Sequence, residues 1–339
     1  DCVALGNHEF DGNNDGLRDF CRWADFPIIC ANGDFSKLKN VDIKPYIFIE
    51  NQGCKICFLG LVQISDKGIP SAHPKNFDSI AFRQPREVIK EYKFLKDKSD
   101  ALVVLSHCGL DVDTVMAFDF PEADLIVGGH THDLVEHPKT YNGVLVTQSQ
   151  NKVRYTTIIK LKIKGDKVVE KTAEVININA HGGKSEAIER IVNEFKSNEY
   201  FYEVVGKAES KFNDKDALGC FMADAMRFAA NADFALQNPG GVRIDSLQAG
   251  EITIGDIYKI DPFDNQIFIC KMTGAQINKF IKEASISDNH GPCHVSGLFY
   301  NIYIDENNQI LDIQAFLPDG SKIKEDDTYS IATNTFVAS

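Results

Sequence analysis

Hydrophobic residues follow two rhythms along the chain. In the first half, short apolar runs alternate with longer mixed stretches: Phe26-Pro27-Ile28-Ile29-Cys30, Tyr46 to Ile49, Ile56 to Val62, Ala101 to Leu105, Ala123 to Val127 and Val144 to Val146. Apolar runs of this length, bounded by polar and glycine-rich stretches, predict buried strands. Gln84 to Lys98 reads as a helix between two of them. Tyr155 to Ile163 and the run from Val168 predict a hairpin that turns at Gly165-Asp166. Strands alternating with helical segments over 1–178 predict a βαβ layered domain.

The second half changes rhythm. Ile188, Ile191, Val192 and Phe195 recur at helical spacing within Ser185 to Ser197, after the flexible Ala180-His181-Gly182-Gly183. This places a linker helix over 179–202 and a second, smaller α/β unit over 203–339. In that unit Leu218, Phe221, Met222, Ala225 and Met226 define an amphipathic helix. Thr273 and Gln276 form a capping box ahead of a helix whose core face is Ile277, Phe280 and Ile281. Leu298 to Ile304 alternates like a strand, and Asn307-Asn308 marks a turn.

At 339 residues, two domains are the expected division. The formal charge of −13 argues against a nucleic-acid partner, whose phosphates demand a cation excess. An anionic substrate would need local positive charge, which metal ions supply. No apolar stretch is long enough to span a bilayer as a helix. Of nine cysteines, Cys57, Cys108 and Cys270 lie in apolar runs and read as buried thiols. The Cys54/Cys57 pair has no second pair to complete a four-thiolate site, and the odd count predicts no disulfide framework. Trp23 reads as packing; His73, His137, His181, His290 and His294 read as surface or core residues outside any site.

Chemistry gathers at three strand ends. Ala123 to Val127 runs into Gly128-Gly129-His130-Thr131-His132, Ala101 to Leu105 into Ser106-His107-Cys108-Gly109, and Cys2 to Leu5 into Gly6-Asn7-His8-Glu9-Phe10-Asp11. In layered α/β folds such loops collect at one edge of the sheet. Two histidines at i and i+2 of an extended strand would project the same way, ~6–7 Å apart. That is reach enough for one histidine on each ion of a metal pair ~3.5–4 Å apart. A metal site built from three distant loops is therefore expected.

These three blocks resemble those of the calcineurin-like metallophosphoesterases. Leu236-Gln237-Asn238-Pro239-Gly240-Gly241-Val242-Arg243 and Asp261-Pro262-Phe263-Asp264-Asn265 resemble the C-terminal substrate domain of the 5′-nucleotidase family. The likeness implies a layered β-sandwich flanked by helices, followed by a smaller α/β nucleotide-binding domain. It further implies that Asn7, His107 and His130 bind one divalent metal ion and that His132 helps bind a second. Zinc, manganese or similar ions suit such donors. His8 would face the substrate phosphate, oriented by Asp11, while a hydroxide bridging the metals attacks phosphorus. Asn238, Gly240, Gly241 and Arg243 would contact the nucleotide, with Phe263 and Phe336 sandwiching the base. The implied reaction is hydrolysis of nucleoside 5′-monophosphates to nucleosides and phosphate. Alternatives are 2′,3′-cyclic-nucleotide phosphodiesterase or UDP-sugar hydrolase chemistry in the same site, or a catalytically incomplete nucleotide-binding fragment. The resemblance implies an extracytoplasmic location, periplasmic or at the cell surface, since family members are usually exported; oligomeric state is left open.

The chain departs from the family at several points. The family's Asp-x-His strand and Gly-Asp loop lie upstream of the Gly6-Asn7-His8-Glu9 block, where only five residues stand. The bridging carboxylate and most of the second metal's shell are therefore expected to be missing, as in a fragment cut at both ends. Pro239 stands in place of a glycine. A segment containing Lys211 and Lys215 replaces arginines ahead of Leu218-Gly219.

Overall fold

The computed structural model describes the chain except residues 264, 288–290, 308 and 339, so Asp264, His290 and Asn308 lie outside the described residues. The fold is mixed α/β, and the chain divides into two compact units, Asp1–Gly183 and Lys184–Ser339.

The first unit is built on a six-stranded sheet, in the order Lys139–Tyr141, Val144–Gln148, Leu125–Gly128, Ala101–His107, Cys54–Val62, Tyr46–Asn51. The four central strands run parallel and both edges pair antiparallel. Period-two alternation explains why the central strands are apolar on both sides. Leu102 and Val104 enter one core with Leu59, Leu61 and Ile126, beneath the helix Leu110–Asp119. Val103 and Leu125 face the other way, onto Ile159, Leu161 and Ala173 of the long hairpin Tyr155–Lys164/Lys167–Asn177. Gly165 turns that hairpin at φ +62°, a conformation favourable to glycine.

A three-stranded parallel sheet (Val3–Ala4, Ile28–Ile29, Ile43–Lys44) lies against the six-stranded one. Gly60 is where they touch: a Cβ there would fall 2.5 Å from Ile29 O, and Gly60 O accepts from Ala31 N at 2.7 Å. Register pins the strand ends. Val62 pairs with His107, Leu105 with Val127, and Gln148 with Gly128. The loops after Val62, His107 and Gly128 therefore leave the sheet at one edge.

Two readings change here. Gln84 to Lys98 is helical but only Pro85–Val88 is α; Ile89–Lys98 winds as a tighter 3₁₀ helix. Trp23 is 74% exposed at the end of helix Asn13–Trp23, with the Arg22 guanidinium 5.5 Å above its ring, so it does not pack in a core. Cys57 and Cys108 are buried as expected, whereas Cys270 is only partly so.

The second unit centres on a four-stranded sheet, Ile267–Thr273, Thr328–Asn334, Phe234–Gln237, His294–Ser296. Its core joins Phe234, Leu236 and Ile331 to Ile277 and Ile281 of helix Gly274–Ser287. That helix opens with the reciprocal cap: Gln276 N donates to Thr273 Oγ1 and Thr273 N donates to Gln276 Oε1. Helix Lys215–Ala230 starts at Asp214, whose carboxylate accepts from Ala217 N, and ends at left-handed Asn231. Leu218 and Ala223 are buried on its inner side; Ala225, expected there, is exposed. Helix Glu186–Lys196 keeps Ile188, Ile191, Val192 and Phe195 exposed. His294 is a core residue, its ring against Gly219 and its Nδ1 3.8 Å from an Asp216 carboxylate oxygen.

Candidate metal centre and nucleotide-binding residues

Three donors meet at the edge of the first unit's parallel sheet. The Asn7 side-chain oxygen lies 3.0 Å from His107 Nε2 and 3.3 Å from His130 Nδ1. The two imidazole centroids are 5.2 Å apart. Asn7 follows the first strand and is 5% exposed; its Nδ2 donates to Ser71 O at 2.9 Å, so the oxygen end faces the rings.

Two glycines make room for His107. A Cβ on Gly6 would fall 2.9 Å from His107 Cε1, and one on Gly129 3.1 Å from His107 Nδ1. Burial, with smaller contributions from His130, His8 and His132, pushes the His107 imidazole down to about 3. Its ring is therefore neutral at physiological pH, with a lone pair to offer. Neutral imidazoles and an amide oxygen are donors for a borderline divalent cation, so Asn7, His107 and His130 fit one such ion. Among the described residues, no group of three or more His, Cys, Asp or Glu side chains is assembled to hold a metal.

His8 sits on a single 3₁₀ turn, His8–Phe10, its Nδ1 2.7 Å from Asp11 Oδ2; both side chains are about two-fifths exposed. His132 is close enough to His107 to act on its titration. The extended geometry expected of the two loop histidines is not what forms. The strand ends at Gly128, and His130 and His132 take φ of +80° and +62°. Each left-handed non-glycine residue costs of order 1–3 kcal/mol and persists only where surroundings over-determine it. Here Gln148, 1% exposed, supplies that constraint: its Nε2 donates to Gly129 O at 3.0 Å and its Oε1 accepts from Asp133 N. Thr131 Oγ1 donates to Asp133 Oδ2, and Leu110 N donates to Thr131 Oγ1 at 3.2 Å.

Sequence reasoning missed this scaffold. Gln148, Thr131 and Asp133 hold the histidine loop, Glu9 accepts from Gly6 N at 2.6 Å, and Gln63 and Ser71 support Asn7. Amide and hydroxyl side chains this far apart give no spacing signal.

In the second unit, Asn238 is 7% exposed, and its Oδ1 accepts from Asn334 Nδ2 at 2.9 Å and from Gln237 Nε2 at 3.3 Å. Asn334 Nδ2 also reaches Gln237 Oε1 at 3.2 Å, closing a buried amide cluster. Gly241 has no room for a side chain, since its Cβ would fall 2.2 Å from Gln237 Nε2. Arg243 Nη1 donates to Gly240 O at 3.2 Å, and its guanidinium lies 5.5 Å from the centre of the Phe263 ring. Phe336 is 37% exposed; its N–H and the Thr335 hydroxyl both donate to Asn265 Oδ1. The segments carrying Phe263 and Phe336 are thus joined through Asn265, two residues from Phe263.

Comparison with known proteins agrees with both halves. Residues 2–134 match the calcineurin-like phosphoesterase family model, and residues 197–339 match the model of the 5′-nucleotidase C-terminal domain. Over 99% of its length the chain is 27% identical to the trifunctional nucleotide phosphoesterase protein YfkN of Bacillus subtilis. Over its whole length it is 29% identical to the endonuclease YhcR of the same organism. It spans 27% and 30% of those two relatives. In fold it is similar to the crystal structure of a 5′-nucleotidase precursor from Thermus thermophilus. The TM-score is 0.84 and the identity 24%, covering 99% of this chain and 74% of that one.

Proposed function

The chain belongs to the family that joins a calcineurin-like phosphoesterase domain to a 5′-nucleotidase C-terminal domain, and from that premise we propose that it hydrolyses nucleoside 5′-monophosphates to nucleosides and phosphate. The observation that carries the reading is the approach of both His107 Nε2, at 3.0 Å, and His130 Nδ1, at 3.3 Å, to Asn7 Oδ1. Those residues would hold a divalent cation, with His132 contributing to a second. Bound there, the cations would supply Lewis acidity for attack of water on phosphorus.

The chain's own groups do the rest. His8 is held at 2.7 Å by Asp11 and is partly exposed, as a group that meets substrate must be. As an imidazolium it would offset charge on the phosphoryl oxygens and donate a proton to the departing ester oxygen. In the second unit, the Phe263 and Phe336 rings offer stacking surface, which tolerates different bases. Arg243 presents a two-pronged donor to sugar or phosphate oxygens. An extracytoplasmic site of action goes with the family likeness.

The test is phosphate release by the full-length protein, with manganese or zinc added, from AMP, 2′,3′-cyclic AMP and a UDP-sugar. Fastest turnover of AMP supports the reading. Preference for the cyclic diester or the UDP-sugar reassigns the substrate while keeping the site. Nucleotide binding with no hydrolysis of any of the three would make the protein a binder.

A further inference from the structure

An amide has two ends that differ in kind. If Asn7 turned its NH₂ toward His107 and His130, it would present donors where a cation needs an oxygen. Something must therefore hold the amide one way round. The visible restraint is the bond from Asn7 Nδ2 to Ser71 O at 2.9 Å. A backbone carbonyl can orient an amide only if its own loop is fixed.

Gln63 fixes that loop. Its Oε1 accepts from both Ser71 N, at 3.1 Å, and Ser71 Oγ, at 3.0 Å. Gln63 follows the strand Cys54–Val62 directly, and its backbone N–H donates to His107 O at 3.0 Å. One residue is thus tied through its main chain to one donor and through its side chain, by way of Ser71, to another donor a hundred positions away. We infer that Gln63 is a positioning residue, which sets the orientation of the Asn7 amide and its distance from His107. The inference rests on reading Asn7, His107 and His130 as ligands. It adds a partner that touches neither substrate nor cation.

Partners of this kind typically change metal affinity about 10–100-fold when removed. The experiment compares manganese binding by isothermal titration for the wild type, Gln63→Leu, Gln63→Glu and Ser71→Ala, with melting of each metal-free protein alongside. Gln63→Leu should weaken manganese binding roughly 10–100-fold with metal-free melting close to wild type. Gln63→Glu keeps an oxygen for both Ser71 donors and should restore affinity. Ser71→Ala loses one of the two bonds and should fall between. Wild-type affinity in Gln63→Leu would overturn the inference, as would a loss that Gln63→Glu leaves unrepaired. Absence of manganese binding by the wild type would instead bring down the ligand reading itself, and the inference with it.

Discussion

The carboxyl of Asp113 fills the space that a side chain on Gly128 would need. A Cβ at Gly128 would fall 2.2 Å from Asp113 Oδ2 and 3.1 Å from Thr147 O. Asp113 is fully buried on helix Leu110–Asp119, and Ser106 donates its hydroxyl proton to Oδ1. The helix is thereby fastened to the ends of the two strands that lead to His107 and His130. We expect Gly128→Ala to cost about 1–3 kcal/mol of stability, the usual penalty of overpacking. In a double-mutant cycle read by urea denaturation, Gly128→Ala with Asp113→Ala should cost less than the sum, with a coupling of about 0.5–3 kcal/mol. Strict additivity would deny that the two positions compete for space.

The same carboxyl should make stability depend on pH. Burial raises Asp113 to about 7, opposed only in part by the Ser106 hydroxyl. Among the described residues its Oδ2 finds no hydrogen-bond partner. The unfolded chain releases this proton near pH ~3.9, whereas the folded chain keeps it until about 7. The contribution to stability is therefore complete below about pH 4 and is lost as pH rises to about 7, at about 1.4 kcal/mol per pH unit. Asp113→Asn cannot ionise, so its stability relative to wild type should climb over that window. Parallel stability curves across it would show that Asp113 is ionised in the fold.

His107 is the donor most committed to its place. It is hemmed in by Gly6 and Gly129 and held neutral by burial and by three neighbouring imidazoles. His107→Ala should lower bound manganese and phosphate release together, and a chelator should abolish the release that added metal restores. Unchanged metal stoichiometry in His107→Ala would defeat its assignment as a ligand.

The fold was largely legible because its signals are local. Buried parallel strands such as Ala101–His107 are nearly continuous apolar runs, and Gly165-Asp166 and the Thr273–Gln276 cap carry their geometry in a few adjacent residues. His107 and His130 stand out as metal-type residues near glycines at strand ends, whereas Asn7, and the grouping of the three as one ligand set, rest on the family resemblance. What escaped was long-range. Gln148 holding Gly129, Gln63 holding Ser71, and Asp113 filling the space beside Gly128 are pairings of ordinary residues across 8 to 19 positions, with no period or motif. The left-handed backbone at His130 and His132 was illegible for a related reason. It is imposed by the Gln148 and Thr131 hydrogen bonds against local preference, so extended geometry was the natural expectation.

Phe263 offers the sharpest separation of binding from chemistry. Its ring lies under the Arg243 guanidinium, and its N–H is held by the Asp261 carboxylate at 3.1 Å. The side chain can therefore be truncated without cutting the backbone bond that shapes its loop. Stacking a base on an aromatic ring contributes ~1–3 kcal/mol, so Phe263→Ala should weaken AMP binding by roughly 5- to 150-fold. A small aryl phosphate has no base to stack, and its turnover should stay near wild type. Phe263→Tyr keeps the ring face and should keep AMP affinity. Equal losses on AMP and the aryl phosphate would mean that the ring serves the fold of the second unit instead of the nucleotide.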